Sequence, residues 1–290
     1  MKGFVAINAY STNEEYLYQA KRMQEEFALL GVQIDVIRND KFDLYIDHDN
    51  IVSKVSDYDF CIFWDKDKYA LSMIEKTGMP IFNPVDAIEK CDDKMTTYIE
   101  LSGHGIPMPK TLPGLLCYTE EEKIKDFTVD IVETLGYPLV VKESYGSLGQ
   151  GVYLVKDRAE LLNVMEQLKC MPHLFQEYVS TSYGRDVRII VIGGEVIGGM
   201  LRKSEGDFRS NIAAGGNGEV YPLNDELITL AKRISKLLNL DYCGIDILFG
   251  KDGPLVCEVN SNAFFFAFER VTKINVARLY AEHILRTLNK

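Results

Sequence analysis

Asp246, Glu258 and Asn260 fall on two apolar runs, "YCGIDILFG" and "GPLVCEVN", that flank a turn. A hairpin centred on Asp252 sets Asp246 opposite Glu258, and Asn260, two residues on, shares the same sheet face. Two carboxylates and an amide oxygen then converge. Facing like charges require a compensating cation, and hard oxygen donors of this kind suit magnesium shared with substrate phosphates. The plainer alternative is a solvated strand face with mobile acids, and a one-residue shift of the turn dissolves the alignment.

A second group lies in "VVKESYGSLGQGVYLV", residues 140–155, where Lys142 ends one apolar run and Gly146, Gly149 and Gly151 precede the next. Glycines let backbone N–H groups approach a phosphate, and a nearby ammonium neutralises charge. A simple hairpin turn has the same composition. No GK[ST] follows, so the loop is not a P-loop, and the lysine precedes the glycines, unlike the order in protein kinases. A third group is "GRDVRIIVIGGEVIGGMLRKSEGDFRSN", residues 184–211. Asp186 and Arg188 share a strand face, Arg202 and Lys203 end the partner strand, and Arg209 and Asn211 follow. Single arginines are more often surface charges, but several basic residues beside glycine loops in an acidic chain point to an anion site.

The elements that position these groups follow from periodicity. Through Pro84, strand-like runs ("GFVAIN", "VQIDVI", "DFCIFW", "PIFNP") surround a helical pattern over residues 14–30, which predicts a small parallel α/β domain. Its first strand-to-helix turn has no dinucleotide-binding glycine fingerprint. A helix through "DDKMTTYIELSGHG" ends at Gly103 or Gly105, and "IPMPK" is extended. A helix is expected over residues 119–135, then paired strands "PLVVKES" and "GVYLV", a helix over 157–169 and a strand over 173–179. Hairpins about Gly193–Gly194 and over 243–260, a helix over 224–239 and a final helix capped by Asn275 complete the chain.

At 290 residues, with 47% hydrophobic and 26% charged residues, the chain can fold a large core and is not extensively disordered. A net charge of −11 argues against generic nucleic-acid binding. The opening "MKGFVAINAYSTNEE" does not read as a secretory signal, and no apolar run approaches membrane-spanning length. Six scattered cysteines without a CxxC pair indicate neither a zinc site nor a disulfide framework, so a cytoplasmic location is expected. No Ser/His/Asp or Cys/His arrangement suggests a protein nucleophile.

Over residues 84–290 the chain resembles the ATP-grasp ligases, and among them the RimK-type amino-acid (alpha-L-glutamate) ligases. "DDKMTTYIELSGHGIPMPKT", "VVKESYGSLGQGV", "FQEYV", "DVRIIVIGGEVIGGMLRKSEGDFRSN", "GIDIL", "CEVN" and the tail "FERVTKINVA" carry the likeness in order. "GDFRSN" together with the 243–260 hairpin is its most specific part. The resemblance implies an α/β fold, α+β in its core: a Rossmann-like pre-ATP-grasp domain over 1–89, a central lid subdomain over 90–178 and a C-terminal subdomain over 179–290. It implies ATP with magnesium or manganese, two ions, as cofactors, and a homo-oligomer. Lys94 and Lys142 would contact phosphates under a lid formed by Gly146, Gly149 and Gly151. Glu177, Tyr178 and Val179 would hold adenine and ribose, although "FQEYV" is otherwise simply a buried strand. Asp186, Arg209, Ser210 and Asn211 would border the nucleotide, and Asp246, Glu258 and Asn260 would ligate the metal. Arg188 and Arg202 would stabilise the transferring phosphoryl group and the oxyanion.

The implied reaction is carboxylate–amine ligation through an acyl phosphate, with a peptide, protein or small-molecule acid as one partner and an amino acid such as glutamate as the other. A nucleotide-binding regulatory module without turnover and a small-molecule kinase stand as alternatives. After Asn260 the family continues toward a Ser-Pro-Gly turn, whereas this chain has Ser261, Asn262, Ala263 and Phe264, a departure that bears on which amino acid is added. Phe264–Phe266 are either core or the wall of an acceptor pocket.

Overall fold

The computed structural model of the protein describes residues 1–12, 14–147, 149–210 and 217–289. The first unit comprises β1 (Lys2–Ile7), α1 (Glu14–Leu29), β2 (Gln33–Arg38), a small hairpin of β3 (Tyr45–Asp47) and β4 (Asn50–Val52), β5 (Phe60–Trp64), α2 (Lys68–Lys76) and β6 (Ile81–Phe82). Its main sheet has the order β2-β1-β5-β6 and every pairing in it is parallel, as the apolar runs predict. β5 is buried at every position, because helices or neighbouring units cover both faces of a parallel sheet.

Next come α3 (Val85–Asp92) and α4 (Lys94–Leu101). The backbone breaks helical geometry at Asp93, whose carboxylate accepts the N–H groups of Met95 at 2.8 Å and Thr96 at 3.1 Å and so caps α4. Val85 and Ile88 of α3 join the core of the parallel sheet, while Ala87 and Cys91 join that of the C-terminal sheet.

The second sheet is antiparallel, built from β7 (Thr111–Pro113), β8 (Leu139–Glu143), β9 (Val152–Val155) and β10 (His173–Glu177) in the order β7-β10-β8-β9. Helices α5 (Thr128–Leu135) and α6 (Arg158–Leu168) cover one face of it. The helix expected over 119–135 is therefore only its last part. Lys169 donates to the carbonyls of Glu120 and Glu122, which holds that stretch out of helical geometry, and Asp126 accepts from Thr128 at the start of α5.

The third sheet has the order β13-β12-β11-β14-β15, from β11 (Arg185–Ile192), β12 (Glu195–Lys203), β13 (Asn217–Tyr221), β14 (Tyr242–Phe249) and β15 (Pro254–Asn260). The remaining helices are α7 (Asp225–Leu237), α8 (Phe266–Thr272) and α9 (Val276–Leu288), the last capped by Asn275 as its sequence predicts. Strand alternation divides the sheet: Val187, Ile189, Val191, Ile245 and Ile247 pack against α7, whereas Ile190, Ile192 and Tyr242 face α8, α9 and the first unit. Asp186, Arg188 and Asp246 continue that second face beyond its apolar part. No helix among the described residues is long and apolar enough to cross a membrane.

The join between the first and third units is polar as well as apolar. The buried amide of Asn83 donates to the carbonyls of Tyr242 and Ser261, both at 2.8 Å, and accepts the N–H of Tyr242 at 2.8 Å. Asn83→Ala strands three buried backbone groups, so it is expected to cost about 2 kcal/mol or more, read as a lower urea midpoint at unchanged slope. An unchanged midpoint would show that these bonds are dispensable.

Candidate active site

The site is assembled where the uncovered face of the second sheet meets the polar end of the third. Val140, Lys142 and Gln176 come from β8 and β10, and Asp186, Arg188, Arg202, Asp246, Glu258 and Asn260 from the other sheet. Between them lies a cleft of about 230 Å³. Lys94, Gly146, Gly149, Glu177, Tyr178, Val179, Arg209 and Ser210 also line it. Gly151 does not, and Asn211 lies outside the described residues.

The predicted facing of Asp246 and Glu258 is present, but its cause differs from the sequence reading. Near the turn, Phe249 pairs with Pro254 and Ile247 with Val256, a register one residue away from a hairpin centred on Asp252. A bulge then inserts Cys257, so that Asp246 pairs with Glu258 and Gly244 with Asn260. The bulge has a packing consequence. Val256 and Val259, three residues apart, both reach the α7 core, while Glu258 and Asn260 turn to the cleft. Without the extra residue, Glu258 would share the face of Val256.

Two arginines hold one member of the acidic pair. Arg188 grips Asp246 through Nε at 2.8 Å and Nη2 at 2.7 Å, and Arg202 reaches the same carboxylate at 2.9 Å. Arg202 in turn holds Asp186 through Nε at 2.7 Å and Nη2 at 2.5 Å, and Ser210 donates to Asp186 at 2.5 Å. Burial works to raise the Asp246 carboxyl, but the two guanidiniums outweigh it and hold it below the ordinary range. The arginines of β11 and β12 thus meet the charge of Asp246, whereas Glu258 faces Lys94.

Glu258 is more open, with Lys94 Nζ at 3.8 Å, and the Asn260 Nδ2 is buried without a partner among the described residues. The oxygen set of Asp246, Glu258 and Asn260 fits a hard divalent cation in chemical type, with phosphate oxygens completing the shell. Asp246 would share its charge between that ion and the arginines.

The lysines face the opposite problem. Lys94 is the first residue of α4, and it donates to the carbonyl of Gly146 at 2.9 Å. Burial lowers its ammonium below the usual lysine range; Glu258 opposes this, and the ammoniums of Lys66 and Lys142 add to it. Lys142 is buried and donates to Gln176 Oε1 at 2.7 Å, with Cys257 Sγ at 3.7 Å. Arg209 ties the other end of the glycine loop, donating to the Gly149 carbonyl at 2.8 Å. A cleft with crowded, desolvated ammoniums attracts a polyanion. Tripolyphosphate in metal-free buffer is therefore expected to raise the melting temperature by about 3–6 °C near saturation. Lys142→Met should abolish that rise, and an equal rise in the variant would remove Lys142 from the anion site.

Sequence reasoning missed Lys66, Cys257 and Gln176, which also line the cleft. Lys66 follows β5 and is ion-paired with Asp92 at 2.6 Å, and nothing local marks it. Cys257 reaches the cleft only because of the bulge. Gln176 was legible as the alternate residue of "FQEYV", on the face opposite Phe175. The phenylalanines divide: Phe265 and Phe268 are fully buried, Phe264 lines the cleft, and Phe266 is partly exposed against Tyr18.

A RimK-like ATP-grasp domain model matches residues 91–284, the stretch that supplies both sheets of the cleft. The chain belongs to the RimK-like ATP-grasp family. Human N-acetylaspartylglutamate synthase A is 39% identical over 77% of this chain and 57% of its own length. The chain thus spans a little over half of that relative. A probable alpha-L-glutamate ligase of Maridesulfovibrio salexigens is 35% identical over 72% of this chain and 68% of its own length. Among solved structures, D-alanine–D-alanine ligase from Bacillus anthracis complexed with ATP superposes with a TM-score of 0.76 at 18% identity, covering 100% of this chain and 97% of that one. That likeness shows the ATP-grasp fold of the RimK-like chain, α/β overall with antiparallel sheets in its core.

Proposed function

We propose that the protein is an ATP-dependent ligase that joins a carboxylate to the amine of an amino acid, with L-glutamate as that amino acid. The observation that carries this reading is the meeting, in one cleft, of the crowded ammoniums of Lys94 and Lys142 with the Asp246–Glu258 pair and its arginines. Glutamate is supported by the family and by the names of both relatives above, each of which includes it. Glu177, Tyr178 and Val179 take the adenine and ribose end, and Asp186, Ser210 and Arg209 border the nucleotide.

The γ-phosphoryl group passes from ATP to a carboxylate oxygen, forming an acyl phosphate as the bond to ADP breaks. The amine nitrogen then attacks the acyl carbon, the C–N bond forms, and phosphate leaves as the amine gives up its proton. Lys94 and Lys142 bind and orient the phosphates. Arg188, the less buried of the two arginines, is assigned the charge that develops on the phosphoryl and acyl oxygens. A magnesium or manganese ion held by Asp246, Glu258 and Asn260 would supply charge neutralisation at the phosphates. Exclusion of water on substrate binding would protect an intermediate that hydrolyses readily.

The test is to incubate the protein with ATP, magnesium, L-glutamate and a panel of small acids and peptides, following ADP release and amide mass. Hydroxylamine should intercept the acyl phosphate as a hydroxamate. ADP release that yields a stable phosphoester, or none with any acid, would overturn the reading in favour of a kinase or a binding module.

A further inference from the structure

Asn262 stands between three clamps. The carbonyl of Ser261 accepts from Asn83 at 2.8 Å, the carbonyl of Ala263 accepts from Tyr242 Oη at 2.6 Å, and the N–H of Phe265 donates to Gln19 Oε1 at 2.8 Å. Gly244 lets this turn lie flat on β14: a Cβ there would meet the Ala263 methyl at 2.5 Å and approach Arg188 Cδ to 3.6 Å. The turn is thus pinned from α1, from the end of β6 and from β14, on the sheet face that carries Arg188 and Asp246.

Its side chain is left unanswered. Among the described residues, neither the Nδ2 nor the Oδ1 of Asn262 has a hydrogen-bond partner; both are buried, although the residue lines the cleft. Asn83, beside the same turn, uses both ends of its amide. A rigidly placed amide with an unused donor and an unused acceptor awaits a ligand that offers both.

We infer that Asn262 binds the amino-acid substrate, its Oδ1 accepting from the α-amine and its Nδ2 donating to the α-carboxylate. The chemistry of the site selects this partner. Phosphates and the carboxylate being activated are acceptors only, and the purine and ribose are assigned above to Glu177 and Tyr178. The group that brings N–H donors to this edge of the reaction is the amine. An amide that accepts from the amine also aims its lone pair, so Asn262 would position the nucleophile as well as select it. This inference rests on the ligase reading, since only ligation brings an amine to the site.

The experiment compares the unsubstituted protein with Asn262→Ala and the near-isosteric Asn262→Asp, using L-glutamate and its α-carboxamide, L-isoglutamine. Asn262→Ala should raise the KM for glutamate about 10- to 100-fold while the KM for ATP stays within about twofold. Asn262→Asp, which sets a carboxylate against the α-carboxylate, should lose glutamate more severely and shift preference toward isoglutamine, which can donate to it. A KM for glutamate that is unchanged in both variants, or an unchanged glutamate-to-isoglutamine ratio in Asn262→Asp, would overturn the inference and assign the amide to bridging water. Absence of amino-acid-dependent turnover in the unsubstituted protein would instead overturn the ligase reading, and this inference with it.

Discussion

Glu258→Gln is expected to lower ATP-dependent amide formation about 10²- to 10³-fold while leaving the melting temperature within a degree or two. The side chain is 30% exposed and its nearest cation, Lys94 Nζ, is 3.8 Å away, so little folding energy depends on its charge. Its place on the bulged strand beside Asp246 makes it the most available carboxylate for a divalent ion. The amide keeps the shape and removes the charge. Melting curves with ATP should still show stabilisation without magnesium, through Lys94 and Lys142, while the additional shift caused by magnesium disappears. Full turnover in magnesium would remove Glu258 from the site.

Arg202→Met is expected to be lost mainly through stability. The arginine is 4% exposed and joins two buried carboxylates, Asp186 and Asp246, and removing it leaves Asp186 without its guanidinium partner. Breaking a buried pair from one side costs about 3–5 kcal/mol, because the remaining charge is neither solvated nor paired. Urea unfolding of Arg202→Met should show that loss, and Asp186→Asn in the same chain should recover a substantial part of it. Equal midpoints for Arg202→Met and the unsubstituted protein would refute the structural role. Arg188→Met should behave differently, with a larger effect on turnover than on stability, since Asp246 keeps Arg202.

The two arginines illustrate how far residue types could be read. From the sequence both are candidates for the same task, because both end up beside glycine loops on strands of one hairpin. In the structure Arg188 lies directly across from Asp246 in the β11–β14 register, while Arg202 faces Asp186 in the β11–β12 register. The first of these depends on which strand lies alongside β11, which no local pattern specifies, and the second on the register shift in the β11–β12 hairpin. The helix over 119–135 fails for a similar reason: Lys169, distant in sequence, takes the carbonyls that a helix would need.

Strand and helix periodicity, glycine placement and the order of charged motifs yield the α/β class and most of the elements, and the resemblance to the RimK-type ligases adds the family and many of the residues that line the cleft. These are properties of neighbours along the chain, where side-chain direction follows from backbone geometry. The tertiary structure decided what depends on neighbours in space. It set the register of the 243–260 hairpin through the Cys257 bulge, divided the phenylalanines between core and cleft, and gave Asp246 its two arginines. It also left the amide of Asn262 buried and unused. A hydrogen bond that is missing can be seen only once every other group has found its partner.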